Sequence, residues 1–324
     1  MKSLRTTLAF TVSSLAAAQW LDDKALGSCR DIECPGTNLD ACPVSNQTYV
    51  NIGVDTFPYN SSSSQSNNLT WTIGVHVYDV DDPDDGLPRV VEKAFFLGTP
   101  EGLNLTTNTD RGGCAVLMET YDLLQNSRTP IRQRCEQTIG EGCHKELQDN
   151  VLSFAKDQGN QFNGSSDACD GLEQYLWTVS GDGSKCAFDW RKVHYIPLIG
   201  PSAPKALTEE QNSTTECYPT RPTTNDLTLV QNWNNSGTIW YNDTTDMLNS
   251  LNLALTVFWD KNGDADVKTQ DSHVSCLWPL YESVGSDKNK NSGSGPKESG
   301  STERTQGTMW AVMSVALVAI WGLL

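Results

Sequence analysis

The chain has 324 residues, with 23 Lys and Arg against 40 Asp and Glu, a net charge of −17 and ten cysteines. The acidic excess argues against nucleic acid or anionic lipid headgroups as partners, because both are polyanions held by Lys and Arg. An even cysteine count with no Cys-x-x-Cys, and with no second histidine near His144, favours disulfides over a metal site.

At the N-terminus, Lys2 and Arg5 precede an apolar core from Leu8 to Leu15, and Ala16-Ala17-Ala18 supplies small residues for cleavage. This predicts a secretory signal peptide over residues 1–18 and a mature start at Gln19. The core is well below the roughly 20 residues that span a bilayer. Secretion makes disulfides the default for Cys29, Cys34, Cys42, Cys114, Cys135, Cys143, Cys169, Cys186, Cys217 and Cys276. Their pairing is open from sequence. It also makes the eight Asn-x-Ser/Thr sequons at Asn46, Asn60, Asn68, Asn104, Asn163, Asn212, Asn234 and Asn242 expected, solvent-facing glycosylation sites.

Residues 19–283 are expected to form an extracellular, glycosylated, β-rich domain. Its first clear strand places Trp71, Ile73, Val75 and Val77 on one face, with Thr72, Gly74, His76 and Tyr78 on the other. Val90 to Leu97 and Cys114 to Tyr121 follow as strands. Thr129-Pro130 then reads as an N-cap with proline at the first helical position, opening a helix that runs through Ile139 and stops at Gly140. A second helix carries Leu147, Val151, Phe154 and Ala155 as one apolar stripe. Together these form a helical insertion over about residues 130–158. Strands are expected again at Gln174 to Val179, Cys186 to Ile199 and Leu227 to Trp233. The clearest strand alternates Leu251, Leu253, Leu255, Val257 and Trp259 with Asn252, Ala254, Thr256 and Phe258. Loops fall at Asn60 to Ser64, Asp79 to Gly86 and Pro197 to Thr224. The expected fold is mainly β, a disulfide-stapled sandwich-like domain with a short helical insertion.

Residues 284–308, rich in Ser, Gly, Lys and Asn, predict a flexible stalk. The apolar run Met309 to Leu324 is short for a membrane span, and no basic residue follows it. This is the pattern of a removed GPI signal, with the anchor expected on Ser299 or Gly293.

Asp260, Asn262, Asp264 and Asp266, with Asp271 further on, are spaced like calcium ligands of an EF-hand loop. Ala265 stands where the sharp turn needs glycine, Asp271 replaces the bidentate Glu, and a strand precedes the segment. Asn262-Gly263 is a preferred hairpin turn. A hairpin is therefore the expectation, with no metal and no cofactor. The five aspartates of the loop from Asp79 to Gly86 read as a solvated acidic turn. There is no Gly-x-Ser-x-Gly and no His-Glu-x-x-His, and His76, His144, His194 and His273 are widely separated. A glycosidase needs only two facing carboxylates, for which Glu119 and Glu173 are the best-placed acids. The expectation for each is a surface carboxylate at a strand edge. Trp71 and Trp259 are expected to fill a core, and Trp233 and Trp240, beside sequons, to lie near the surface.

The terminal signals, the sequon density and the Ser/Gly stalk resemble the GPI-anchored cell-surface glycoproteins of filamentous fungi. That resemblance implies a lipid-anchored location on the outer face of the plasma membrane or in the wall, and names no family for the central domain. The leading functional expectation is a non-enzymatic surface glycoprotein in wall organisation, adhesion or host contact, with wall polysaccharide or another surface protein as partner. The alternatives are a carbohydrate-active enzyme on wall polysaccharide and a lectin-like module.

Overall fold

The structure, a computed structural model, describes residues 42–49, 51–60, 66–79, 89–107, 110–120, 135–157, 165–179, 184–186, 190–212, 217, 219–220, 225–237, 247, 250–260 and 272–277. The chain divides into two units, Met1–Glu282 and Ser283–Leu324, and every described residue lies in the first.

The order of elements is β1 (Cys42–Val44), β2 (Gln47–Tyr49), β3 (Asn51–Asn60), β4 (Ser66–Asp79), β5 (Arg89–Thr99), β6 (Arg111–Thr120), α1 (Cys135–Ile139), α2 (Glu141–Asp157), α3 (Ser165–Val179), β7 (Trp190–Pro197), β8 (Asp226–Gly237), β9 (Leu251–Asp260) and β10 (Ser272–Leu277). Two four-stranded antiparallel sheets form, in the orders β3-β4-β5-β8 and β10-β9-β6-β7. The short pair β1-β2 turns through Ser45 and Asn46, both at positive φ, as a tight two-residue hairpin requires.

Three apolar clusters define the layers. Phe57, Trp71, Ile73 and Phe95 of the first sheet pack with Ala115, Leu117, Ala254 and Phe258 of the second, making the interior of a β-sandwich. On the outer face of the second sheet, Val116, Met118, Leu253, Leu255, Val257 and Trp259 meet Val151, Phe154, Leu172 and Leu176 of the helices. Tyr49 and Val44 of the hairpin cover Ile52, Val54 and Phe96 on the outer face of the first. Both sheets are thus covered on both sides, so nine of the ten positions of β9 are buried. Its two alternating sets serve different cores. The bulky odd-numbered set faces the helices, and the smaller even-numbered set faces the other sheet.

Gly140, at φ 85°, ends α1, and the His144 N–H donates to its carbonyl as α2 begins (3.0 Å). The helical stripe of Leu147, Val151, Phe154 and Ala155 is buried as expected. The expected helix start at Thr129-Pro130 lies outside the described residues. Gln174 to Val179 is a correction: these residues are the last turns of α3, not a strand. Ala168, Cys169, Leu172 and Leu176 form a helical stripe that burial against β6 and β7 rewards, overriding the β preference of the terminal residues. The strand expected from Cys186 to Ile199 is shorter, from Trp190 to Pro197.

Three disulfides bind the helices to the second sheet and its flanks: Cys114–Cys169, Cys135–Cys276 and Cys143–Cys186. Cys42 and Cys217 are also disulfide-bonded, and no described cysteine is free. Cys29 and Cys34 lie outside the described residues, as do the expected signal peptide over 1–18, the expected stalk over 284–308, Gly293, Ser299 and the apolar run 309–324. Among the described residues no helix is long and apolar enough to cross a membrane.

Candidate functional site

Glu119 is not a surface carboxylate. On β6 it continues the inward-facing series Ala115, Leu117, so the pleat turns it into the sandwich, where it is fully buried. Lys93 on β5 shares its face with Phe95 and Leu97 and arrives from the opposite sheet, also fully buried. The Lys93 ammonium donates to Glu119 Oε1 and to Ser250 Oγ, with Asn252 Oδ1 3.4 Å away. Asn235 Nδ2 donates to both carboxylate oxygens (3.2 and 3.1 Å), and the Ser250 hydroxyl to Oε1 (2.9 Å). Burial pushes the Glu119 carboxyl up, but the Lys93 charge and the hydrogen bonds from Lys93, Asn235 and Ser250 outweigh it and hold the group below its ordinary range. Burial likewise pushes the Lys93 ammonium down, against the attraction of Glu119.

Around this pair, Lys192 stands opposite Glu119 on β7. Its ammonium donates to the Asn234 carbonyl (2.7 Å) and lies 5.8 Å from the centre of the Trp233 ring. Trp233, expected near the surface, is also a correction. It is 5% exposed, packed on Phe95 and stacked by His194, because its strand position faces the sandwich interior whatever the neighbouring sequon. Trp71 and Trp259 are buried as expected, while Trp240 lies outside the described residues.

Glu173 is exposed on α3, a helix on the outer face of the sheet whose inner face carries Glu119. The sheet stands between the two acids, so they do not face each other across a groove. Sequence periodicity carries a signal for the first: Lys93 and Glu119 both occupy core parity within apolar strands, where an unpaired charge is prohibitive.

A different pairing was not apparent in the sequence. His273 Nε2 on β10 lies 3.0 Å from Asp55 Oδ2 on β3, and the imidazole stacks on Phe57 at 4.7 Å. A carboxylate-oriented histidine is part of a nucleophile triad, yet among the described residues no hydroxyl or thiol hydrogen-bonds this ring. Of the calcium-like run, Asp260 ends β9 and pairs with Arg111 at 2.9 Å, and Asn262, Asp264 and Asp266 lie outside the described residues. Strands β9 and β10 pair antiparallel on either side of that segment. Among the described residues no cluster of His, Cys, Asp and Glu suits a metal.

Asn46, Asn68, Asn104 and Asn234 are exposed and Asn212 is half-buried. The Asn60 side chain, Asn163 and Asn242 lie outside the described residues. Asn104 sits at the rim of a cavity of about 560 Å³ lined by Leu97, Leu103, Leu198 and Val230, with Lys205 and Asp226 at its edge. A smaller cavity of about 90 Å³ opens between α2, α3 and β7, beside Trp177, whose side chain is 70% exposed. In comparisons with known proteins, no family model matches the chain, and neither a curated protein nor a solved structure matches it.

Proposed function

We propose that this chain is a lipid-tethered cell-surface glycoprotein that acts by contact rather than catalysis, in wall organisation, adhesion or host contact. The observation that carries the reading is the outward placement of Asn46, Asn68, Asn104 and Asn234 on a disulfide-stapled sandwich, where each can bear a glycan without disturbing a core. Support for a non-catalytic role comes from Glu119, whose oxygens are taken up by Lys93, Asn235 and Ser250 between the sheets, away from Glu173. A lectin-like form of the reading is favoured by the exposed indole of Trp177.

The test is release and trimming of the natural protein. Phosphatidylinositol-specific phospholipase C is expected to free it from membranes, and peptide N-glycosidase to lower its mass by several glycans. Peptides from Met309 to Leu324 in the mature protein would overturn the anchor. Turnover of wall polysaccharide that is abolished by Glu173→Gln would overturn the non-catalytic role.

A further inference from the structure

Trp177 is the exposed member of a set whose other described side chains, Trp71, Trp233 and Trp259, are all buried. It projects from α3 one residue after Leu176, which is buried against the sheet. An indole face left in water forgoes a large apolar burial, and such faces suit the C–H surfaces of pyranose rings. Next to it the small cavity is walled by Leu147, Leu176 and Val193, with Asn150 and Tyr195 alongside. At about 90 Å³ it holds roughly three waters at ~30 Å³ each, room for a ring substituent but not for a ring.

Two polar groups at this cavity, on Asn150 and Tyr195, are uncommitted. Among the described residues neither the Asn150 carboxamide nor the Tyr195 hydroxyl has a hydrogen-bond partner. Burial and the nearby Glu173 push the Tyr195 phenol up to about 12, so it remains a neutral donor at physiological pH. The α2 side of the cavity is braced. Glu146 accepts from the Ser184 hydroxyl (2.5 Å) and the Lys185 N–H (2.8 Å), and the Cys143–Cys186 disulfide pins the same segment to α2. A preformed site of this kind loses little freedom on binding.

We infer that Trp177, Asn150, Tyr195 and the adjoining cavity bind a pyranose bearing an acetamido group, its ring on the indole and its acetamido group in the cavity. The acetamido methyl meets Leu147, Leu176 and Val193, while its amide faces the free Asn150 and Tyr195 groups. Glu146 and Glu173 disfavour uronic or sulfated sugars on charge grounds, which leaves neutral N-acetylhexosamine residues. The site deepens the proposed contact role and rests on it.

The experiment titrates the purified, glycosylated protein, by whatever means it is brought into solution, with chitotetraose and with cellotetraose, which has the same linkage and lacks the acetamido groups. Calorimetry and tryptophan fluorescence supply the readouts. Chitotetraose is expected to bind at least tenfold more tightly than cellotetraose. Trp177→Ala should weaken it at least tenfold, and Tyr195→Phe and Asn150→Ala severalfold each, with melting temperatures close to wild type. If Trp177→Ala unfolds the domain, the other two variants decide. No binding of chitotetraose at millimolar concentration overturns the site, as does unchanged binding in the folded variants. Neither result touches membrane release and glycosidase trimming, on which the contact role stands or falls separately.

Discussion

Lys93 and Glu119 form a fully buried ion pair that joins the two sheets of the sandwich, each residue contributed by a different sheet at a position whose neighbours are apolar. Breaking such a pair strands a charge in a low-dielectric interior, whereas replacing both partners by apolar groups removes the desolvation cost together with the attraction. Glu119→Gln is therefore expected to destabilise the domain by about 3–5 kcal/mol, and Lys93→Met/Glu119→Met by much less. Urea denaturation of Glu119→Gln, and of Lys93→Met, Glu119→Met and their double variant as a cycle, measures this. Costs that simply add would contradict the coupling.

The same pair sets an acid limit. Because the folded carboxyl of Glu119 is held below its ordinary value, about 4.3, the unfolded chain binds its proton more readily than the folded one. The stabilisation is complete above the unfolded pKa and is lost as pH falls through the folded one. Wild type should hold its stability relative to Lys93→Met/Glu119→Met from pH 7 to about 5 and lose ground below about pH 4. A difference that stays constant down to pH 3 would refute this.

Trp71 makes a second tie between the sheets, its indole N–H donating to the Thr256 hydroxyl at 2.8 Å. Thr256→Val keeps the volume and removes the acceptor, leaving a buried donor unpaired at a cost of about 1–3 kcal/mol. Thr256→Ser keeps the hydroxyl and should cost less. Equal losses for Val and Ser would show that the hydroxyl contributes nothing.

All three of the described disulfides act on the helical layer. Cys135–Cys276 closes 141 residues, Cys114–Cys169 55 and Cys143–Cys186 43, and each is expected to contribute about 2–4 kcal/mol. Reduction should lower the melting temperature sharply and expose the apolar face of Val116, Leu253, Leu255 and Val257 to a hydrophobic dye. Scanning calorimetry with thiol quantitation checks this. An unchanged transition with every thiol free would contradict it.

What the sequence determined by itself is local. The alternation from Leu251 to Trp259 marks a strand because successive side chains point to opposite faces, and Gly140 marks a helix end because the left-handed turn there costs glycine little. The stripe from Leu147 to Ala155 was legible for the same reason of period. Tertiary structure alone decided which face is which. Covering by helices on one side and by the other sheet on the other made both faces of β9 interior, so the more apolar set lies outside the sandwich and Asn252 and Thr256 lie within it. That covering also drew the end of α3 into a helix. The meeting of Lys93 with Glu119, 26 residues apart in sequence and on opposite sheets, depends on strand order and register that no local pattern encodes. The pairing of the cysteines and the exposure of Trp177 depend on it as well, because which groups are brought together is set by how the layers stack.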